Sequence, residues 1–176
     1  MSVWFITGAS RGFGLEITRE ALSRGDSVVA TARNPQAVQD AIPDGGDRLL
    51  AVGLDVGMSE QVTTAVQAAI ERFGRIDVLV NNAGRGLVGT VEETSDAEAR
   101  ALFDVNVFGL LAVTRAVLPY MRAARSGLVV NLSSVGGFVA WPGWGVYAAT
   151  KFAVEALSEA MTHELAPLGI CLLYTS

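Results

Sequence analysis

Short apolar runs alternate with longer amphipathic stretches along the whole chain, and this alternation limits its folds more than any other feature. Val3 to Thr7, Ser27 to Thr31, Leu49 to Gly53, Ile76 to Asn81 and Leu128 to Leu132 read as strands. Phe13 to Arg24, Pro35 to Ala41, Ser59 to Phe73, Ser95 to Ala124 and Val146 to Ala166 read as helices between and after them. The helix from Ser95 opens on a capping box, with Ser95 as N-cap and Glu98 three residues on. Strands rich in Val, Ile and Leu without polar alternation suit a parallel sheet covered on both faces. Repeated strand–helix units therefore predict an α/β fold: a doubly wound parallel sheet in three α/β/α layers. At 176 residues the chain is expected to form a single domain, 1–176. Leu168-Gly169-Ile170 reads as the entry to a sixth strand, and residues 171–176 then stop without a further helix. We expect a truncated chain whose sheet is incomplete at its C-terminal edge, with 171–176 foreign to it.

Composition excludes several functions. A net charge of −5, with basic residues scattered singly apart from Arg122 and Arg125, argues against a nucleic-acid partner. Half of the residues are hydrophobic, yet no run approaches the ~20 apolar residues of a membrane helix, so no membrane partner is expected. Met1-Ser2 leads directly into an apolar run with neither a basic region nor a cleavage site, which predicts a cytoplasmic protein. Cys171 is the sole cysteine and His163 the sole histidine, so neither a disulfide framework nor a metal site is expected.

The first strand-to-helix turn is glycine-rich: Thr7-Gly8-Ala9-Ser10-Arg11-Gly12-Phe13-Gly14. In that setting Gly8 permits a tight turn, Gly12 lets backbone approach a pyrophosphate, and Gly14 lets the helix pack close to the strand. The helix N-terminus then presents free N–H groups to the phosphates. The same glycines would also serve a plain strand-to-helix turn. The second strand ends Val29-Ala30-Thr31-Ala32-Arg33, without the acidic residue that binds a ribose 2′-hydroxyl. Arg33, with Arg11 inside the loop, can instead pair with a 2′-phosphate, which favours NADP(H) over NAD(H).

Tyr147 and Lys151 stand four residues apart, on one face of a helix. An ammonium held beside a phenol favours the phenolate. A unit charge about 4 Å away at an effective dielectric near 20 is worth roughly 4 kcal/mol, enough to let the pair exchange a proton in catalysis. The same pair on a surface helix is commonly just solvated. Ser134 lies upstream, and Phe138, Trp141 and Trp144 fall between it and the tyrosine. These aromatic residues either line an apolar substrate pocket or pack their loop against the core.

The chain resembles the short-chain dehydrogenase/reductase family, in its compact single-domain branch. The resemblance runs from residue 3 to about 170, with features of its retinol and 17β-hydroxysteroid dehydrogenase-like members. It rests on Thr7-Gly8-x-x-x-Gly12-x-Gly14, Asn81-Asn82-Ala83-Gly84, Asn106, Ser134 and Tyr147-x-x-x-Lys151, in that order.

The resemblance implies a Rossmann-like domain that binds NAD(P) and lacks its C-terminal substrate-covering part. Its cofactor-binding residues would be Gly8, Ser10, Arg11, Gly12, Phe13, Gly14, Arg33, Asp55, Val56, Asn82, Ala83, Gly84, Tyr147 and Lys151. Asp55 would contact the adenine amino group. The catalytic residues would be Asn106, Ser134, Tyr147 and Lys151. Ser134, rather than Ser133, matches the family position relative to Val135-Gly136 and Tyr147. Asn106 would hold a water linking Lys151 to solvent.

The implied activity is reversible hydride transfer between a nicotinamide and a small-molecule carbonyl or secondary alcohol. Tyr147 would be the proton donor or acceptor, and Ser134 would bind the reacting oxygen. The helices near 96–124 and 146–166 resemble the family's oligomer interface, so the full-length parent is expected to be a homo-oligomer. Ala148, Ala149, Ala153, Ala156 and Ala160 would permit close approach there. A non-catalytic NADP-binding sensor or scaffold would use the same fold. A methyltransferase also uses a glycine-rich turn, but the spacing from Gly8 to Gly12 and the Tyr/Lys pair count against it.

Overall fold

The computed structural model describes residues 1–175. Six strands form one parallel sheet: β1 (Val3–Thr7), β2 (Ser27–Ala32), β3 (Leu49–Gly53), β4 (Val78–Asn81), β5 (Gly127–Leu132) and β6 (Ile170–Thr175). The helices are α1 (Gly12–Ser23), α2 (Gln36–Ala41), α3 (Ser59–Phe73), α4 (Asp96–Phe103), α5 (Leu110–Ala124) and α6 (Gly145–Leu165). The strand order is β3-β2-β1-β4-β5-β6. The winding therefore reverses between β1 and β4, and the crevice at their carboxyl ends is where a doubly wound sheet binds ligands.

Register explains the two-sided core. Phe5 pairs with Val29 on one side and Leu79 on the other, and Leu79 pairs with Val129. All four are fully buried on one face, under α3, α5 and α6. Their neighbours Ile6, Val28, Ala30, Val78 and Val80 point the opposite way, under α1 and α2. That second layer extends to β5, where Leu128, Val130 and Leu132 pack against it but are only half-buried, while Val129 and Asn131 are buried. Coverage of the sheet thus thins towards its C-terminal edge, where Leu173 and Tyr174 of β6 are exposed.

Two expectations are modified. The stretch from Ser95 to Ala124 is interrupted by a π-helical turn over Asp104–Gly109, although its capping box forms as read. Residues 171–175, set apart in the sequence as a foreign tail, continue β6 in register with β5, from Gly127↔Ile170 to Leu132↔Thr175. Edge pairing needs only backbone groups, and Cys-Leu-Leu-Tyr-Thr is compatible with a strand. Ser176 lies outside the described residues.

The continuous helical stretch Asp96–Ala124 has a mean hydropathy of 1.7 in its most apolar window, long and apolar enough by that measure to cross a membrane. The sequence reading expects no such segment. Here Leu102, Leu110, Val113, Val117 and Met121 of this stretch are buried inside the fold, which accounts for its apolarity.

Candidate active site

Thr7 ends β1 and organises the crevice. Its hydroxyl accepts hydrogen bonds from the backbone N–H groups of Asn82 (3.0 Å) and Ala83 (2.9 Å). The Asn82 side chain returns two bonds, to the carbonyls of Thr7 (2.8 Å) and Gly8 (3.0 Å). The glycine turn and the Asn81–Gly84 segment are thereby locked together. Gly8 has φ +68°, and a Cβ there would lie 3.0 Å from Ala83 Cα, so both backbone conformation and close approach require glycine. A Cβ on Gly14 would collide with the Gly8 carbonyl oxygen, which accounts for the tight seating of α1 on the turn.

The turn floors a cavity of about 510 Å³. Gly8, Ser10, Arg11, Gly12, Phe13, Arg33, Asp55, Val56, Asn82, Ala83 and Gly84, named in the sequence reading, line it, and Gly14 packs behind the turn. Gly12 has φ +57°, and a Cβ there would meet no atom within 4 Å. The bare backbone thus faces open space at the start of α1, a cradle that fits a pyrophosphate. Arg11 and Arg33 are exposed and make no ion pair among the described residues. Asp55 accepts a bond from Gly57 N (3.0 Å) through one carboxylate oxygen. Ala32, Leu54, Arg85 and Val105 complete the lining and escaped the sequence reading. Arg85 follows Asn81-Asn82-Ala83-Gly84 directly, so extending that motif by one residue would have found it.

A second cavity, of about 700 Å³, adjoins the first and shares Phe13, Asn82, Gly84 and Arg85 with it. Ser133, Ser134, Val135, Tyr147 and Lys151 line it. Ser134 follows β5, and its hydroxyl accepts a bond from Gly136 N (3.1 Å). Gly136 holds the geometry together: a Cβ there would lie 3.3 Å from Tyr147 Cε1 and 3.5 Å from Ser134 Oγ. Ser134 and Tyr147 therefore flank one point. Ser133 Oγ, by contrast, is buried without a hydrogen-bond partner, beneath Gly137 and beside Glu155.

The first turns of α6 carry Tyr147 and Lys151. Lys151 Nζ donates to the Leu132 carbonyl (2.8 Å) and lies 6.0 Å from the Tyr147 ring centroid. Burial pushes the Lys151 ammonium below the usual lysine range, and the Glu155 carboxylate one turn along opposes that shift. The Tyr147 ring is braced edge-on by Trp144, with centroids 5.6 Å apart.

Asn106 lines neither cavity. It is buried on the π turn, where its amide group bonds the Arg85 carbonyl (2.9 Å) and Thr150 Oγ1 (3.1 Å), while its side-chain oxygen accepts from Arg85 N (2.9 Å). Thr150 in turn donates to the Tyr147 carbonyl (2.7 Å). Asn106 thus ties the segment after β4 to the backbone of the helix bearing Tyr147. A π turn, often found at functional sites, brings this side chain inward. Phe138 and Trp141 are largely exposed, so they do not pack their loop against the core. Among the described residues there is no cluster of potential metal ligands, and His163 is exposed on α6.

Comparison with known proteins identifies the family. The family model for short chain dehydrogenase matches residues 2–174. A 3-ketodihydrosphingosine reductase from Bacteroides thetaiotaomicron is 44% identical over 166 residues, which cover 94% of this chain and 59% of the relative. The solved structure of a short-chain dehydrogenase from Streptomyces avermitilis superposes with a TM-score of 0.95 at 47% identity, covering 98% of this chain and 64% of that one. A 3-ketoacyl-(acyl-carrier-protein) reductase from Brucella melitensis, solved with NADH, gives 0.94 at 32% identity, covering 98% and 73%. Another solved relative carries NADP. The chain spans about three fifths of the length of the curated relatives it matches. With a family match over nearly every residue, and the glycine turn, the serine and the tyrosine–lysine pair gathered along one crevice, the chain belongs to the short-chain dehydrogenase family.

Proposed function

We propose that this chain is the nucleotide-binding and catalytic part of an NADP(H)-dependent oxidoreductase that interconverts a carbonyl and a secondary alcohol. The observation that carries this reading is the gathering of Ser134, Tyr147 and Lys151 in a cavity continuous with the glycine-turn crevice. When bound, the nicotinamide cofactor supplies the hydride chemistry. Gly8, Ser10, Gly12 and Phe13 would hold its phosphates, Asp55 and Val56 its adenine, Asn82 to Gly84 the nucleoside, and Lys151 the nicotinamide ribose. Arg33 and Arg11, with no acid at the end of β2, would pair with a 2′-phosphate.

In the reducing direction the Tyr147 hydroxyl gives its proton to the substrate oxygen, and in the oxidising direction it takes that proton back. Ser134 Oγ donates a hydrogen bond to the same oxygen as charge develops. Lys151 supplies positive charge beside the phenol and is oriented by the Leu132 carbonyl. Asn106 is assigned a positioning role, because its side-chain groups are committed to Arg85 and Thr150.

An apolar part of the substrate is read from Phe138 and Trp141, which stay exposed between Ser134 and Tyr147 although neither lines the cavity, and from a relative named as a 3-ketodihydrosphingosine reductase. In the whole protein a further C-terminal segment would cover the half-buried face of β5 and close the substrate side. The same reading makes that protein cytoplasmic and homo-oligomeric through the helices near 96–124 and 146–166.

The test is Tyr147→Phe, assayed with NADPH and NADH. Turnover of aryl ketones should fall by at least about a thousandfold, in keeping with loss of a general acid. Tryptophan-to-cofactor energy transfer should keep its affinity and its preference for NADPH. Undiminished turnover in the variant would refute the assignment of Tyr147, and tighter NADH binding would reverse the cofactor preference.

A further inference from the structure

Arg85 has no place in the reading above, yet it lines both cavities where they meet. Its backbone is held from both sides, since Asn106 accepts from its N–H and donates to its carbonyl, each at 2.9 Å. Its side chain is exposed and forms no hydrogen bond or ion pair among the described residues. Among the described residues the second cavity is lined by two cationic residues, Arg85 and Lys151, and by no carboxylate side chain, in a chain whose net charge is −5. Glu155 offsets the lysine from within the fold and does not line the cavity. Among the described residues the Arg85 guanidinium is therefore a charge without an ion-pair partner where the two cavities meet.

We propose that Arg85 is a specificity-determining residue that binds an anionic group, a carboxylate or phosphate, on the carbonyl substrate. This rests on the oxidoreductase reading and narrows its substrate class to amphipathic keto compounds bearing a negative charge. The planar guanidinium suits such groups because it can donate two parallel hydrogen bonds to two oxygens. A backbone anchored at both polar groups lowers the ordering cost of presenting the side chain.

The probes are 5-oxo-5-phenylpentanoate, its methyl ester, and the matching phenyl ketone that ends in a phosphate. In the full chain with NADPH, kcat/KM should favour the two anions over the ester. Arg85→Gln should reduce that preference by about tenfold, the scale of a partly solvated charged hydrogen bond. Arg85→Lys should retain part of it. The ratio of carboxylate to phosphate turnover identifies which anion the site prefers.

A second readout does not depend on turnover: binding of the keto acid to the cofactor-loaded protein, followed by calorimetry. Weaker binding to Arg85→Gln than to the parent supports the proposal, even if no substrate is turned over and the catalytic reading fails. Equal binding overturns it. So does a variant whose only defect is NADPH affinity, because Arg85 would then serve the cofactor.

Discussion

Lys151 is only 9% exposed, and its ammonium has exchanged water for the Leu132 carbonyl, with the Glu155 carboxylate acting on it through space. Burial lowers its folded-state pKa relative to the unfolded chain, and the sign of the stability effect follows. Below the folded pKa both states are protonated and the burial penalty is present in full. Between the folded pKa and the ordinary lysine value of about 10.4, only the unfolded state still binds the proton, so stability rises with pH. Relative to Lys151→Met, the parent chain should therefore gain stability as pH is raised through the alkaline range towards the ordinary lysine value of about 10.4. Urea unfolding of both proteins across that range checks this, and a pH-independent difference would contradict it. The same variant should lose turnover. The pair Tyr147 and Lys151 was legible in the sequence because i, i+4 spacing sets side-chain proximity on a helix. The burial of the lysine, and the burial of Ser133 Oγ without a partner next door, were not, because both depend on what packs around α6.

At the scale of elements, the glycine turn is a three-body contact between α1, the end of β1 and Asn82. Gly14 is its tightest point: an added methyl would meet the Gly8 carbonyl oxygen and Asn82 Nδ2. Gly14→Ala should lift α1 off the turn, costing roughly 1–3 kcal/mol of stability as an overpacking substitution and weakening NADPH binding. Thermal denaturation together with a cofactor titration measures both. Unchanged affinity would mean that the seating of α1 does not shape the phosphate cradle. Strand and helix positions were largely legible, since the Val/Ile/Leu runs and their amphipathic partners carry the periodicity themselves. The π turn was not. Asp104 to Gly109 has a composition that an α-helix would accept, and the extra residue per turn becomes visible only once Asn106 is bonded to Arg85 and Thr150.

For the molecule as a whole, the proposed assembly makes use of exposed apolar groups. Phe108 on the π turn and Phe152 on α6 are 58% and 46% exposed. Ala148, which the sequence reading assigns to that surface, is instead buried in the chain's own fold, whereas Ala149, Ala156 and Ala160 are exposed. Phe152→Glu should shift the protein towards monomer in sedimentation velocity, because a charge buried in an interface without a partner is costly. An unchanged oligomer distribution would place the contact elsewhere.

The sequence by itself determined the doubly wound α/β architecture and the position of the glycine turn, which follow from periodicity and conformational preference, properties of neighbouring residues. The choice of Ser134, Tyr147 and Lys151 as a set came through the family resemblance rather than through spacing alone. Only the tertiary structure decided that Asn106 supports the site from behind, that Arg85 stands where the two cavities meet, and that residues 171–175 pair as an edge strand. Each of those depends on contacts between segments distant in the chain, and local sequence does not encode which distant partner will arrive.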